Sequence, residues 1–89
     1  MTDPKDLSRR HRDTLNEIRI QPPKSNIKWD DVVSLIKALG GKIKNNDGSR
    51  RKFVLKGQMY STHKPHPGNT MDKGAVNGLR EWLDSMGIK

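Results

Sequence analysis

Two histidines in the second half of the chain have the residue type and spacing that chemistry would need. His63 and His66 flank Lys64-Pro65, between a predicted strand and the last predicted helix. An imidazole changes its charge near neutral pH, so it can take a proton from a ribose 2′-hydroxyl or return one to a leaving 5′-oxygen. Nearby cations can stabilise the charge that develops on phosphorus. The pair fits metal-free RNA cleavage, although histidines beside a proline are also typical of a phosphate contact or of plain surface.

Two further segments have the composition of phosphate-binding sites. In Gly48-Ser49-Arg50-Arg51, glycine allows close backbone approach, serine offers donors, and the arginine forks match phosphate oxygens. The segment Met71 to Gly74 begins the last predicted helix, where free amides and Lys73 would face an approaching anion. An ordinary hairpin turn and an ordinarily capped helix are the alternatives.

Positive charge is concentrated in one part of the chain. The formal net charge is +8, and the span from Lys42 to Lys64 holds seven basic residues against one acid, Asp47. Such a concentration is typical of a protein that binds a polyphosphate, since each cation can neutralise a phosphate and release a counterion. The predicted RNA-binding residues are therefore Gly48, Ser49, Arg51, Lys52, Lys56, Lys64 and Lys73. A merely solvated basic face is the alternative.

Composition excludes several other classes of function. Without cysteine there is no disulfide framework and no thiolate metal site, and the scattered acids predict neither a metal site nor a cofactor. Only four aromatic residues occur, which disfavours recognition of single strands by base stacking. No apolar run approaches the length of a membrane span and no signal peptide is recognisable, so we expect a cytoplasmic protein.

Helical spacing of apolar residues predicts a helix on each side of the basic span. The last helix should be capped by Asp72 and end at Gly87, with Ile88 folded back onto Leu83. Gly78 inside that helix indicates close packing, because glycine there costs about 1 kcal/mol relative to alanine. The first predicted helical face consists of Trp29, Val32, Val33, Ile36 and Leu39, and the last of Ala75, Val76, Leu79, Trp82, Leu83 and Met86.

Between these helices the sequence predicts three antiparallel strands, at 42–45, 50–55 and 58–63. The fold class is therefore α+β, with a helix, three strands and a helix in order, and two helices on one face of the sheet. Residues 24–89 form the predicted domain, and residues 1–23 an N-terminal helical extension and linker.

The extension carries a thin apolar stripe of Leu7, Leu15 and Ile18. Its helix is predicted to begin at Asp3-Pro4 or at Ser8 and to end before the two prolines after Gln21. So thin a stripe leaves open whether this helix packs on the domain.

Several stretches, in this order and spacing, resemble the HicA toxin family over about residues 27–88. They are Lys28 to Gly41, Gly48-Ser49, Phe53, Thr62 to Gly68, Met71 to Val76, and Arg80 to Ile88. The resemblance implies a fold like the double-stranded-RNA-binding domain. It also implies a ribosome-independent mRNA endonuclease, the toxin of a toxin-antitoxin pair, whose partners are mRNA and an inhibiting HicB-like antitoxin protein.

One position departs from the family pattern. The family's turn usually reads Gly-Ser-His, and that histidine is taken as catalytic, whereas here Arg50 follows Ser49. Arginine stays protonated at neutral pH and cannot act as a base. Our hypothesis is that His66, supported by His63, supplies the proton transfer while Arg50 and Arg51 hold the phosphate.

Two alternatives remain open from the sequence. The same surface could bind RNA without cleaving it, or its main role could be to dock the antitoxin. We expect the free protein to be a monomer.

Overall fold

The computed structural model describes residues 6–45 and 47–89. The elements in chain order are α1 (Arg9–Ile18), α2 (Trp29–Ala38), β1 (Lys42–Asn45), β2 (Arg50–Leu55), β3 (Gln58–His63) and α3 (Lys73–Ser85). The α+β prediction is confirmed, and all three strands have the predicted bounds. Asp3-Pro4, one predicted start of the first helix, and Asn46 lie outside the described residues. No helix in the described ranges has the length and apolar character needed to cross a membrane.

The sheet is antiparallel, with β2 between β1 and β3. Ile43, Phe53 and Tyr60 stand opposite one another in register and form one row across the three strands. Since side chains alternate along a strand, this row defines the inner face of the sheet, and the neighbouring positions define its outer face. Lys56 and Gly57 both have positive φ, at 53° and 74°, and form the tight reversal predicted between β2 and β3.

Both flanking helices pack on the inner face. The ring of Trp29 in α2 stacks on Phe53 with the centroids 5.3 Å apart, and Trp82 in α3 stacks on Tyr60 at 5.5 Å. A Cβ placed on Gly78 would lie 2.5 Å from the Tyr60 hydroxyl oxygen, so only glycine lets α3 approach the sheet this closely. The close packing predicted at Gly78 is thus confirmed.

The predicted ends of α3 are also confirmed. The Asp72 side chain accepts a hydrogen bond of 2.8 Å from the Ala75 amide, which caps the first turn. At the other end the Ile88 amide donates to the Leu83 carbonyl at 3.0 Å, and Gly87 takes a left-handed φ of 76°. Ile88 is buried as a result, so α3 is fixed to the core at both ends.

The first helix packs on the domain, a point that the sequence left open. Ser8 caps α1, and Leu15 and Ile18 are buried in the common core. His11 Nε2 lies 2.7 Å from the hydroxyl oxygen of Ser34 in α2. Arg19 forms an ion pair with Asp84 of α3. The helix therefore lies against both α2 and α3; the division of the chain at residue 23 stays a prediction.

Candidate functional site

The histidine loop, residues 64–70, follows His63 at the end of β3, carries His66 and is held at both ends. The Lys64 amide donates a 2.7 Å hydrogen bond to the carbonyl of Ser49, which ties the loop to the turn between β1 and β2. Beyond the histidines, the Trp29 amide donates to the Asn69 carbonyl at 2.7 Å, which ties the loop to the start of α2. The structure therefore brings the predicted turn and the predicted loop together at one end of the sheet.

A depression of about 280 Å³ lies where the turn, the loop and the start of α3 meet. Ser49, His63, His66 and Asp72 contribute to its walls. Both histidines are exposed, so their imidazoles are accessible to a ligand in this depression. The histidine pair, which spacing alone could not place, thus shares one site with the serine of the turn.

Two cations extend the site from the depression toward α2. Arg51 and Lys64 line a neighbouring hollow together with Gly48, Ser49 and His66. Arg51 Nη1 also donates to the carbonyls of Gly48 and Arg50, at 2.8 Å each. Arg51 thus braces the turn and also lines the hollow.

Arg50 points to the other side of the sheet. It stands directly opposite His63 in the register of β2 and β3, and neighbouring strand positions face opposite ways. Arg50 and Arg51 therefore reach the end of the sheet from its two faces. His63 lies on the outer face beside Arg50 and also lines the depression, so it joins the two regions.

Two predicted RNA-binding lysines do not converge with the rest. Lys56 lies at the opposite end of β2, about 20 Å along the strand from Arg50, and its Nζ is 3.5 Å from the Met86 carbonyl. Lys73 is the first residue of α3 and exposed, but it does not line the depression. Lys52 lies between these extremes, on the outer face of β2.

The negative charge of Asp72 affects the pKa of a neighbouring group. Burial, and then the carboxylates of Asp72 and Glu81, raise the pKa of Tyr60 above its ordinary value. The protonated hydroxyl donates to the Ala75 carbonyl at 3.2 Å, which links β3 to the first turn of α3. Asp72 thus caps α3 and lines the same depression as the two histidines. Within residues 6–45 and 47–89, no three His, Asp or Glu side chains are grouped as metal ligands.

Sequence reasoning named neither Asp72 nor Thr70 as a site residue, and both line the depression. Asp72 was predicted only as a helix cap, yet a cap at the end of the histidine loop must lie beside that loop. Thr70 pairs with Lys28 in an isolated antiparallel bridge. The two residues are more than forty positions apart, so no local sequence pattern predicts this contact.

Comparison with known proteins assigns the chain to a family. The family model for the HicA toxin of bacterial toxin-antitoxin systems matches residues 29–88, from the start of α2 to the end of the core. The chain belongs to the HicA toxin family. It is accordingly the toxin of a toxin-antitoxin system, and a HicB-type antitoxin is its partner. No curated protein and no solved structure matches the chain.

Proposed function

We propose that this toxin is an endoribonuclease that binds mRNA on its basic surface and cleaves it without a metal ion. The observation that carries the proposal is the hydrogen bond from the Lys64 amide to the Ser49 carbonyl. It holds the histidine loop against the phosphate-binding turn, so that imidazoles and cations surround one depression. A toxin that acts on mRNA acts in the cytoplasm, and we expect the free protein to be a monomer there.

The proposed reaction is a transfer at phosphorus. His66, supported by His63, takes the proton from a ribose 2′-hydroxyl, and the oxygen attacks the adjacent phosphorus. The bond from phosphorus to the 5′-oxygen breaks, and that oxygen receives a proton from an imidazole. The products carry a 2′,3′-cyclic phosphate and a 5′-hydroxyl. No water or metal ion enters this step.

Cations supply the electrostatic part of catalysis. Arg51 and Lys64 line the hollow next to His66, so they can stabilise the extra charge on the phosphoryl oxygens. Arg50 approaches from the outer face beside His63 and adds a permanent charge, since its guanidinium does not lose a proton at neutral pH. In this arrangement Arg50 holds the phosphate and the base lies in the loop.

Cleavage of a labelled mRNA in excess chelator tests this function. Wild type is compared with His66→Ala, His63→Ala and the double variant, and His11→Ala serves as the matched control. His11 is the remaining histidine of the chain and bonds Ser34 in the interface of α1 and α2, away from the loop. We expect the double variant to lose cleavage and the control to keep it, with thermal unfolding recorded for each protein.

Three results would reject the proposal. Cleavage at the wild-type rate by the double variant would place the chemistry elsewhere. RNA binding by the wild type without any cleavage product would leave a binding module of the same fold. A surface that only docks the antitoxin would show neither binding nor cleavage of RNA.

A further inference from the structure

The outer face of the sheet carries a band of positive charge, and Arg50 is the one cation of this band that the proposed reaction uses. Strand alternation directs four cations to this face, because Ile43, Phe53 and Tyr60 face the helices. None of the residues in β1, β2 and β3 is acidic. The outward positions are Lys42, Lys44, Arg50, Lys52, Val54, Met59, Ser61 and His63.

These charges are not compensated within the described part of the chain. Lys44 and Lys52 stand directly opposite each other, an arrangement that destabilises an antiparallel pair. Ion pairs within the described ranges instead involve Arg10 in α1, Arg19 just after α1 and Arg80 in α3. A band of repelling cations that costs stability in the free protein fits a surface whose partner is an anion.

The band adjoins the proposed cleavage site. Arg50 ends it beside the turn, and His63, opposite Arg50, also lines the depression. From Arg50 the next outward cation on the strand is Lys52, about 6.6 Å further along, and Lys44 lies beside it on β1. A strand of nucleic acid that leaves the depression at His63 therefore meets a continuous series of cations.

We propose that the outer face of the sheet binds the sugar-phosphate backbone of single-stranded RNA that continues from the cleavage site. The proposal rests on the proposed function, since it assigns the substrate's path beyond the scissile bond. Neighbouring strands are about 4.8 Å apart, so the cations form one narrow band that a single backbone fills. Phe53 and Tyr60 face inward, so the contact works through charge and is indifferent to base sequence.

The test measures binding of RNA of two lengths by fluorescence anisotropy across a range of salt concentrations. The RNA carries 2′-methoxy groups, which prevent attack by the 2′-oxygen, and spans about 4 or about 16 nucleotides. The test pair is the double variant Lys44→Gln, Lys52→Gln. The control pair is the double variant Arg9→Gln, Lys89→Gln. Both pairs remove two exposed or half-exposed cations, and the control pair lies on α1 and at the chain end.

For single-stranded RNA, each lost phosphate contact makes the slope of log affinity against log salt concentration shallower by about 0.7. The test pair should therefore lower the slope for the long RNA by about 1.4, which weakens binding about 25-fold at about 0.1 M salt. The test pair should leave the affinity for the short RNA unchanged. The control pair should leave the affinity for both RNAs unchanged.

Unchanged affinity of the test pair for the long RNA would overturn the proposal. If the test pair also bound the HicB-type antitoxin more weakly while its RNA binding was unchanged, the band would be a protein interface instead. Cleavage of an unmodified short RNA is measured in parallel. Its absence in the wild type would reject the proposed reaction, whereas the length-dependent loss of binding would still support the RNA path.

Discussion

Arg50 and His63 face each other across β2 and β3 at the end of the sheet that meets the histidine loop. Arg50 follows Gly48-Ser49, where the resemblance of the turn to the family predicts a histidine, and His63 is its cross-strand partner. A permanent cation and an imidazole thus stand side by side, and the imidazole lines the depression. In our account the cation binds the phosphate and the proton transfer has moved to the loop.

Restoring the family's histidine tests this division of roles. Arg50→His places an imidazole opposite His63, so we expect the variant to cleave RNA even when His66→Ala is present. Arg50→Gln, which adds no imidazole, should not restore cleavage in that background. Gel assays of labelled RNA measure both. Failure of Arg50→His to rescue His66→Ala would show that the turn position cannot supply the base in this chain.

Gly78→Ala should destabilise the protein although alanine favours a helix. The new methyl group would lie 2.5 Å from the Tyr60 hydroxyl oxygen, and Tyr60 is confined between Phe53 and Trp82. We expect a loss of about 1–3 kcal/mol in the free energy of unfolding, measured by urea denaturation. Tyr60→Phe removes the clashing oxygen and should recover part of the loss. If Gly78→Ala were neutral in both backgrounds, the contact between α3 and β3 would be looser than the structure has it.

The confirmed prediction of close packing at Gly78 shows how much of the fold could be predicted from the sequence. A glycine inside an amphipathic helix indicated a close neighbour, and Tyr60 is that neighbour. Strand bounds followed from alternation around Phe53 and from the turn residues. Docking of α1 could not be predicted, because it depends on pairs distant in the chain, Arg19 with Asp84 and His11 with Ser34.

The candidate site was predictable in its parts more than in its assembly. The turn and the histidine loop each had a recognisable composition, but their contact is one backbone hydrogen bond, from Lys64 to Ser49, which side-chain identity does not encode. Charge counting grouped Lys56 with Arg50, whereas the length of β2 separates them. Composition records how many cations a segment has, and only strand register divides them between faces and ends.

Removal of a buried contact of α1 should destabilise the whole domain. Leu15 is fully buried in the common core, so Leu15→Ala should lower the free energy of unfolding by about 2–5 kcal/mol. Ile20 lies just beyond α1 and is 44% exposed, so Ile20→Ala is the control and should stay within about 0.5 kcal/mol of wild type. A Leu15→Ala variant as stable as that control would mean that α1 is dispensable for the fold.

Stability should decline at high pH because of Tyr60. Its pKa is raised in the folded state, so the unfolded chain loses the phenolic proton first. The contribution of Tyr60 to the free energy of unfolding is complete below the ordinary tyrosine pKa of about 10. It is lost as the pH rises through the raised pKa of the folded state. Tyr60 is the one tyrosine of the chain, so ultraviolet absorbance follows its ionisation directly.

The free energy of unfolding is measured against pH for wild type and for Tyr60→Phe. The difference between the two curves separates the contribution of Tyr60 from that of the lysines, which also titrate at high pH. We expect the free energy of unfolding of the wild type to fall more steeply above about pH 10 than that of the variant. If the free energies of unfolding of wild type and variant fell in parallel, or if Tyr60 ionised at the ordinary tyrosine pKa, its partial burial against α3 would be contradicted.

The most direct test of the central claim is the chemistry of the RNA ends that the purified toxin produces in excess chelator. Our account predicts fragments with a 2′,3′-cyclic phosphate and a 5′-hydroxyl from the wild type, and none from the His63→Ala, His66→Ala double variant. Cleavage by that variant at the wild-type rate, or fragments with a 5′-phosphate, would contradict it.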